Sequence, residues 1–252
     1  MAQLEELLNY TDRLLEINQF DDYCPNGLQV EGAPEVGVLI SGVTASLALL
    51  EAAVAAGADA VLVHHGYFWK GEDPRVRGMK QRRLRLLLDN GVSLLAYHLP
   101  LDAHPVLGNN ARLGKLLGFD MTGRLAQAGP VKIGMHGELN PPLTGEALAG
   151  RIEERLGRTP LHVGGRATQI RRIGWCTGAA QRYIDEATGL GLDAYISGEI
   201  SEQTVHEARE TGVHFYAAGH HATERYGIKA LGEHLAERFD LAHQFIDIDN
   251  PV

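Results

Sequence analysis

Residues 39–63 read LISGVTASLALLEAAVAAGADAVLV, and 134 positions later residues 173–197 read IGWCTGAAQRYIDEATGLGLDAYIS. Both stretches begin with an apolar strand pattern, pass through a turn of glycine and small residues, and continue into a helix. Each helix ends at a glycine, Gly57 or Gly191, that is followed by an acidic residue and a second strand. Because glycine commonly stops a helix, the pattern predicts the same strand–helix–strand unit twice in the chain.

A second similarity lies farther along the chain, between residues 97–117 and residues 215–235. It has a shift of 118 positions, which places Asp102 on His220. The change from 134 to 118 implies that the first copy carries extra residues, at about 67–82, between its second and third strands.

The predicted strands are short and β-branched, are bounded by Gly, Asn or Pro, and alternate with helices. Such alternation is typical of α/β sheets with a parallel component. We therefore predict an α/β fold of two similar domains from an internal duplication, each with a mixed sheet flanked by helices. The expected domains are residues 1–126 and 127–252, and terminal elements can cross between the halves. Chance similarity between the strand–helix–strand units of any α/β protein remains the alternative.

Composition limits the classes of function. Hydrophobic residues make up 44% of the chain and charged residues 22%, as in a globular protein with a buried core. The net charge of −9 disfavours sequence-independent nucleic-acid binding, because such a surface repels phosphate. The sequence lacks a basic, apolar leader and an apolar run of roughly 18 residues, so we expect a cytoplasmic protein that crosses no membrane. Cys24 and Cys176 are expected to be buried thiols.

Residues able to bind metal follow three predicted strands. His64 and His65 follow the apolar residues 60–63, Asp102 follows residues 92–101, and His220 follows residues 213–219. In α/β sheets, ligands collect at the carboxyl ends of strands. Two adjacent histidines at a strand end should point in divergent directions and each bind one of two neighbouring ions. A hydrogen-bonded histidine pair near a turn is the alternative.

His220 and Glu224 lie four residues apart at the start of a predicted helix, hence on one helical face. They can converge on one ion, whereas the alternative is an ordinary surface contact. Asp102 supplies a hard oxygen ligand, although a lone aspartate at this point is often a helix N-cap. All of these alternatives would have to hold together for the metal interpretation to fail.

The same segments resemble the YbgI-like (Nif-three-like) family, whose members are commonly called GTP cyclohydrolase 1 type 2 homologues. The resemblance covers essentially the whole chain and rests on five motifs: Asp22-Tyr23 with Pro25-Asn26-Gly27-Leu28-Gln29-Val30-Glu31-Gly32, Val63-His64-His65-Gly66-Tyr67-Phe68-Trp69-Lys70-Gly71, His98-Leu99-Pro100-Leu101-Asp102, Ser197-Gly198-Glu199, and Ala218-Gly219-His220-His221-Ala222-Thr223-Glu224.

The resemblance implies two similar α/β domains, a dinuclear metal site and a toroidal homohexamer. It places the metal ligands at five positions: His64, His65, Asp102, His220 and Glu224. Imidazole and carboxylate ligands suit zinc, manganese or iron better than calcium or magnesium. We expect Glu224 to bridge two ions, with His65 and Asp102 on one and His64 and His220 on the other.

The predicted function is that of a dinuclear metal-dependent hydrolase acting on a small, anionic nucleotide or purine-like substrate, as the cyclohydrolase name implies. Phosphoester hydrolysis is a second enzymatic possibility, and a non-catalytic metal-binding ring that serves as an interaction platform or metal store is the alternative.

Candidate acids and bases for catalysis are His98, His104, His221 and Glu199. His98 can instead orient a metal ligand. Tyr67, Trp69 and Lys70 are candidates for binding substrate, by stacking a base and holding a phosphate. Packing at a subunit interface is the alternative for the two aromatic residues, and a solvated surface position is the alternative for the lysine.

Overall fold

The structure is a computed structural model that describes residues 1–252. Its elements, in chain order, are β1 (Ala2–Gln3), α1 (Leu4–Leu14), a 3-10 helix (Ile17–Gln19), β2 (Gly27–Val30), β3 (Glu35–Val36), β4 (Val38–Thr44), α2 (Leu47–Ala55), β5 (Ala60–His65), α3 (Gly78–Asp89), β6 (Ser93–Ala96), α4 (Leu99–Ala103), α5 (Asn109–Leu117), β7 (Asp120–Ala128), β8 (Val131–Leu143), α6 (Gly145–Leu156), β9 (Leu161–Val163), β10 (Ile170–Cys176), a second 3-10 helix (Gln181–Tyr183), α7 (Ile184–Gly189), β11 (Ala194–Ser197), α8 (Glu202–Thr211), β12 (His214–Ala217), α9 (His220–Phe239) and β13 (Ala242–Phe245).

The chain forms two compact units. The first contains residues 1–101 and 227–249, and the second contains residues 102–226 and 250–252. This division differs from the predicted boundary at residue 126, which would cut through β7. Strand β7 pairs along its length with β8 in an antiparallel hairpin, so the two strands stay in one unit. Each unit also includes a segment from the other half of the sequence.

Each unit has a mixed sheet, as the sequence predicts. In the first, the strand order is β13-β4-β5-β6-β2, with β2 antiparallel to its neighbour and the other pairs parallel. In the second, the order is β7-β8-β10-β11-β12-β9, and only β10, β11 and β12 run parallel. A separate antiparallel pair joins β1 and β3. Helices flank these sheets, and the fold is therefore mixed α/β.

The strand pairings in the two units share one register. Leu39 pairs with Ala60 in the first unit and Ile173 pairs with Ala194 in the second, so both pairs keep the predicted shift of 134. The helices between these strands also end as predicted, at glycines with positive φ. These features support the proposed internal duplication, which stays a prediction.

An aspartate secures the same backbone groups in each unit. The side chain of Asp59 accepts hydrogen bonds from the backbone N–H groups of Gly37 and Val38, both at 2.8 Å. Asp193 accepts from Arg171 and Arg172, at 2.9 and 2.8 Å. The three residues of the second unit are each 134 positions after their counterparts in the first unit. In both units the aspartate thus holds the backbone at the start of a corresponding strand, β4 in the first and β10 in the second.

Strands β6 and β12, each the third parallel strand of its unit after β4-β5 and β10-β11, do not follow the predicted shift of 118. Ser93 lies opposite Ala60, and His214 lies opposite Ala194, so the strand ladders relate β6 to β12 by 121 positions. The match between Asp102 and a site histidine is therefore not kept by the sheet register.

The physical reason is that the chain leaves the two strands differently. After β6 it forms the short helix α4 and then α5, whereas after β12 it forms the single long helix α9. The sequence similarity with a shift of 118 positions covers segments that contain these helices. The shifts of 118 and 121 differ by three residues, which is close to one helical turn of 3.6 residues.

A hydrophobic core fills each unit, and Tyr97, Leu50 and Leu87 in the first and Trp175, Tyr195 and Tyr216 in the second are fully buried. None of the helices combines the length and apolar character that a membrane crossing would require.

Candidate metal centre

In the first unit, His64 and His65 form the end of β5. His64 is fully buried, and its Nδ1 lies 2.9 Å from the carbonyl oxygen of Tyr97. Because a carbonyl only accepts, Nδ1 must carry the proton, which makes Nε2 the atom with a lone pair. The backbone of Tyr97, directly after β6, therefore sets the tautomer of His64 that a metal ligand needs.

The rings of His65 and His98 lie beside that of His64. The centroids of the two adjacent rings are 4.5 Å apart, and their Nδ1 atoms contact different partners, Tyr97 for His64 and Thr44 for His65. His98 completes a group of three imidazoles whose donor atoms all lie within 4.8 Å of one another. His65 Nδ1 lies 3.1 Å from the hydroxyl of Thr44. The first unit thus gathers nitrogen donors able to bind a metal ion.

Asp22 holds His98 in place. One carboxylate oxygen lies 2.7 Å from His98 Nδ1, and the other accepts from the side chain of Asn26 and the backbone N–H of Leu99. Burial raises the pKa of Asp22, but the hydrogen bond and charge of His98 and the other donors outweigh it and lower the pKa. Sequence reasoning missed this role, although Asp22 and Asn26 begin the motif that carries the family resemblance.

Cys24 lies in the same part of the first unit, and its sulfur lies within 4.8 Å of donor atoms of Asp22 and His98. Burial, followed by the negative charge of Asp22, raises the pKa of the Cys24 thiol to about 12. Cys24 is therefore protonated at neutral pH. Both cysteines are free and buried, as predicted.

In the second unit, Asp102 is buried and lies within α4. Its Oδ1 accepts hydrogen bonds from the side chains of Asn109 at 2.9 Å and Thr177 at 3.2 Å. Asn109 comes from the first turn of α5, and Thr177 follows the end of β10. These two donors fix the carboxylate, a role that the sequence did not reveal for either of them.

His220 and Glu224 converge as their spacing predicts. Gly219 has a φ of +98°, and the turn there leads directly into α9. His220 Nε2 lies 3.2 Å from a carboxylate oxygen of Glu224, and His220 Nδ1 lies 2.7 Å from Glu199. Glu199 therefore orients His220, and this contact gives a predicted catalytic candidate a positioning role.

The charge around His220 favours a cation. Burial lowers the pKa of His220, but hydrogen bonds and the negative charges of Glu224 and Glu199 outweigh burial and raise the pKa to about 9. Two carboxylates thus stabilise positive charge at this imidazole, where a proton and a metal ion would compete for Nε2. A divalent ion fits the electrostatics and the chemistry of these donors.

Two glycines at strand ends make room for these residues. A Cβ at Gly178 would lie 2.3 Å from Glu224 Oε1, and a Cβ at Gly198 would lie 2.7 Å from the Cα of His220. Neither glycine could therefore carry a side chain without displacing a candidate ligand. In the sequence, Gly198 stands out only as part of the Ser197-Gly198-Glu199 motif, and no pattern indicates a role for Gly178.

Asp102 and Glu224 both act on Cys176. Burial raises the pKa of the Cys176 thiol well above its usual value, and the charges of these two carboxylates raise it further. The thiol therefore stays neutral beside the acidic pair.

The other predicted catalytic residues have structural contacts. His104 Nδ1 accepts backbone N–H groups of Val106 and Leu107, at 3.3 and 3.0 Å, and so caps a turn. His221 is buried, and its backbone N–H donates to the carbonyl of Val252. These contacts do not test a role in proton transfer, which stays a prediction for both histidines.

The three predicted substrate-binding residues differ in how far their side chains are exposed. Tyr67 is buried in the core of the first unit, where its hydroxyl donates to the carbonyl of Ala45 at 2.7 Å, so it presents no face for stacking a base. Trp69 is half-buried, and its ring meets that of His98 edge-on, with centroids 5.1 Å apart. Lys70 is exposed. Trp69 and Lys70 remain candidates, whereas burial removes Tyr67.

Comparisons with known proteins agree with the resemblance. A model of the family described as Duf34/NIF3 (NGG1p interacting factor 3) matches residues 2–251. The chain is 58% identical over 249 residues to the GTP cyclohydrolase 1 type 2 homolog of Pseudomonas aeruginosa, with 99% of this chain and 98% of the relative covered. It is 55% identical to the relative of the same name from Escherichia coli K12, with 100% and 99% covered.

Two solved structures resemble the whole chain. One, titled protein ybgI of unknown function, has a TM-score of 0.96 at 54% identity, with both chains fully covered. The other, TTHA1606 from Thermus thermophilus, has a TM-score of 0.87 at 33% identity, also with full coverage of both chains.

Proposed function

The chain belongs to the Duf34/NIF3 family, and we propose that it is a dinuclear metal-dependent hydrolase acting on a small nucleotide or purine-like substrate. The substrate class comes from its relatives, which carry the name GTP cyclohydrolase 1 type 2 homolog. We further propose that the subunits assemble into a toroidal homohexamer, as the family resemblance implies.

The observation that carries this proposal is the state of the three histidines predicted to bind metal. In each of them Nδ1 contacts an oxygen: the Tyr97 carbonyl for His64, the Thr44 hydroxyl for His65 and the Glu199 carboxylate for His220. Histidines that bind metal through Nε2 usually donate Nδ1–H to such a partner, which orients the ring. Three histidines prepared in this way favour metal binding over a purely structural role.

We propose the same division of ligands between two ions that the sequence predicts. His65 and Asp102 would hold one ion, His64 and His220 would hold the other, and Glu224 would be shared by both. When bound, such ions polarise a carbonyl or phosphoryl oxygen of the substrate and activate water. The two buried carboxylates offset part of the positive charge, and the remaining charge would attract an anionic substrate.

The protein's own groups would position the substrate and move protons. His98 is held by ionised Asp22, so its ring is fixed next to His64 and His65 and can exchange a proton with a leaving nitrogen or oxygen. Trp69, which meets the edge of His98, offers an aromatic face to a base, and exposed Lys70 follows it as a candidate phosphate contact.

The test is an activity screen of protein reconstituted with zinc, manganese or iron. Formate released from GTP reports opening of the purine ring, phosphate reports attack on the triphosphate, and nitrophenol released from bis(nitrophenyl) phosphate reports diesterase activity. Turnover that disappears in Asp102→Asn and persists in Glu202→Gln supports a hydrolase. Glu202 is exposed on α8, outside the ligand set. Stoichiometric metal without turnover of any substrate would instead favour the non-catalytic metal-binding ring.

A further inference from the structure

Strand β2 contains an irregularity at Gln29. Leu28 and Val30 pair with adjacent residues of β6, although they are two positions apart. Gln29 between them is therefore an extra residue, a β-bulge, in a strand at the edge of the first sheet. A bulge bends its strand and re-aims a side chain, and bulges are frequent next to active sites. This bulge falls in the first motif of the family resemblance, which also contains Asp22 and Asn26.

The side chain of Gln29 holds the chain just after the histidine pair. Its Oε1 accepts from the backbone N–H of Tyr67 at 2.6 Å, and its Nε2 donates to the carbonyl of the same residue at 3.1 Å. The Nε2 also donates to the carbonyl of Pro25 at 2.8 Å. Gln29 thus exchanges with Tyr67 the two hydrogen bonds that a residue of a neighbouring antiparallel strand would make.

A side-chain amide meets these demands, whereas other side chains of similar shape do not. One terminal atom of Gln29 faces an N–H and must accept, and the other faces two carbonyls and must donate. An ionised glutamate has no donor, and a methionine offers only a weakly accepting sulfur. Gly66 adds a steric condition, because a Cβ there would lie 2.2 Å from Gln29 Oε1. The missing side chain at Gly66 therefore lets the amide reach the backbone beside it.

A further hydrogen bond fixes the same segment a few residues later. The backbone N–H of Lys70 donates to the carbonyl of Tyr23 at 2.7 Å. Between this attachment and that of Gln29 lies Trp69, whose ring centroid is 6.1 Å from that of His65 and 5.1 Å from that of His98. The segment after His65 is therefore held at both ends, and its indole packs against two imidazoles.

We propose that Gln29 is a positioning residue of the metal centre, which sets the direction of His65 and of the indole that follows it. Gln29 acts through the backbone of Tyr67, two residues after this histidine. His64 is fixed separately, by the carbonyl of Tyr97, so the loss of Gln29 should fall on the ion assigned to His65. This inference rests on the proposed pair of metal ions and adds to it the residue that aligns one of the ligands.

The experiment compares Gln29→Met with Asp59→Ala, both in the full chain. Each variant loses two hydrogen bonds to the backbone of the first unit, but Asp59 directly precedes β5 whereas His65 ends it. Competition with a chelator after reconstitution with zinc measures the affinity for each ion. We expect Gln29→Met to weaken one ion about 10–100-fold and the other by less than about twofold. Asp59→Ala should keep both affinities, because it leaves the residues after His65 in place.

A second readout needs no metal and therefore separates this inference from the proposed function. Acrylamide quenching of tryptophan fluorescence in the metal-free protein reports the exposure of Trp69, because Trp175 is fully buried and gives a constant background. The quenching constant should rise in Gln29→Met and stay unchanged in Asp59→Ala. Gln29→Glu, at a partly exposed position, should behave as Gln29→Met does and keeps the test available if Gln29→Met fails to fold.

Two results would overturn the proposal. The first is that the folded Gln29 variants keep both the metal affinities and the quenching constant of the unmodified protein. The second is that Asp59→Ala changes these quantities as much as Gln29→Met does, which would reduce the effect of Gln29 to a loss of stability. If the unmodified protein binds no metal, the proposed function fails, and the quenching comparison alone decides the role of Gln29.

Discussion

The segments β4–α2–β5 and β10–α7–β11 share a scaffold but end in different chemistry. A shift of 134 relates their strand register and the aspartates that hold their first strands. The same shift relates His64 to Gly198 and His65 to Glu199. The first unit thus presents imidazoles directly from a strand, whereas the second unit presents a residue that holds His220 on the following helix.

One matched pair of positions shows how the difference arises. Thr44 in the first unit corresponds to Gly178 in the second, and the Thr44 hydroxyl contacts His65. At Gly178 there is no side chain, and Glu224 lies in the space that a Cβ would need. A repeated scaffold can therefore carry an asymmetric donor set, with nitrogen donors in one unit and both carboxylates in the other.

The largest expected effect comes from removing the charge of Glu224, the carboxylate proposed to be shared by two metal ions. Glu224→Gln keeps the shape of the side chain but removes its charge, so we expect metal content after reconstitution to fall by about one ion per subunit. Metal analysis of the purified protein measures the loss, and circular dichroism should show intact secondary structure. Glu202→Gln should retain the metal content of the unmodified protein. Full occupancy of both ions in Glu224→Gln would show that Glu224 is no bridge.

Gly178→Ala tests the difference between the matched positions. The added methyl would displace Glu224 and strain a backbone with a φ of +68°, so metal affinity should fall about 10–100-fold. Competition with a chelator measures the change. Gly150→Ala, in α6 with open space around it, is the control and should bind metal normally. Equal affinity in the two variants would mean that the space at Gly178 does not serve Glu224.

The shared scaffold is tested by Asp59→Ala and Asp193→Ala. Each variant loses two hydrogen bonds from backbone N–H groups to a carboxylate, which should lower the free energy of unfolding by about 1.5–3 kcal/mol. Urea denaturation, with hydrogen exchange to assign the change to one unit, measures both. Glu51→Ala, an exposed change in α2, should stay within about 0.5 kcal/mol of the unmodified protein. A large loss in only one of the aspartate variants would contradict their equivalence.

The smallest expected effect is a pH response at strands β9 and β12 of the second unit. His162 Nε2 lies 3.0 Å from His214 Nδ1, and His214 Nε2 lies 2.8 Å from the carbonyl of Ala167. Burial, and then the charge of His214, lowers the pKa of His162 below its usual 6.5, against the smaller opposing effect of Glu146. The unfolded chain therefore takes up a proton more readily, and stability falls as the pH drops through about 6.5.

The strand ladders place Leu28 and Ser93 at the corresponding positions of the first unit, and these side chains do not titrate in this range. Hydrogen exchange at about pH 8 and about pH 5.5, corrected for intrinsic rates, should show protection lost in β9 and β12 and kept in β2 and β6. His162→Leu should remove the response. A similar loss of protection in β2 and β6 would point to a general acid effect instead.

Several features of the site could be predicted from the sequence because they depend on local spacing. The interval of four residues between His220 and Glu224 puts both on one helical face. In the structure, His220 Nε2 lies 3.2 Å from a carboxylate oxygen of Glu224. Glycine placement likewise predicted where α2 and α7 end. Local spacing failed where Tyr67 was expected to face a substrate, because burial of that ring depends on the core around it.

The sequence by itself determined the α/β class, the repeated strand–helix–strand unit with its shift of 134, and the strand-end positions of His64 and His65. Only the tertiary structure decided that residues 102–126 pack with the second unit and that the third strands are related by 121. It also brought Asp22 to His98, 76 positions away, and Gly178 to Glu224. The reason is physical: periodicity records which face of an element is buried, whereas contacts between distant segments depend on how complete elements pack.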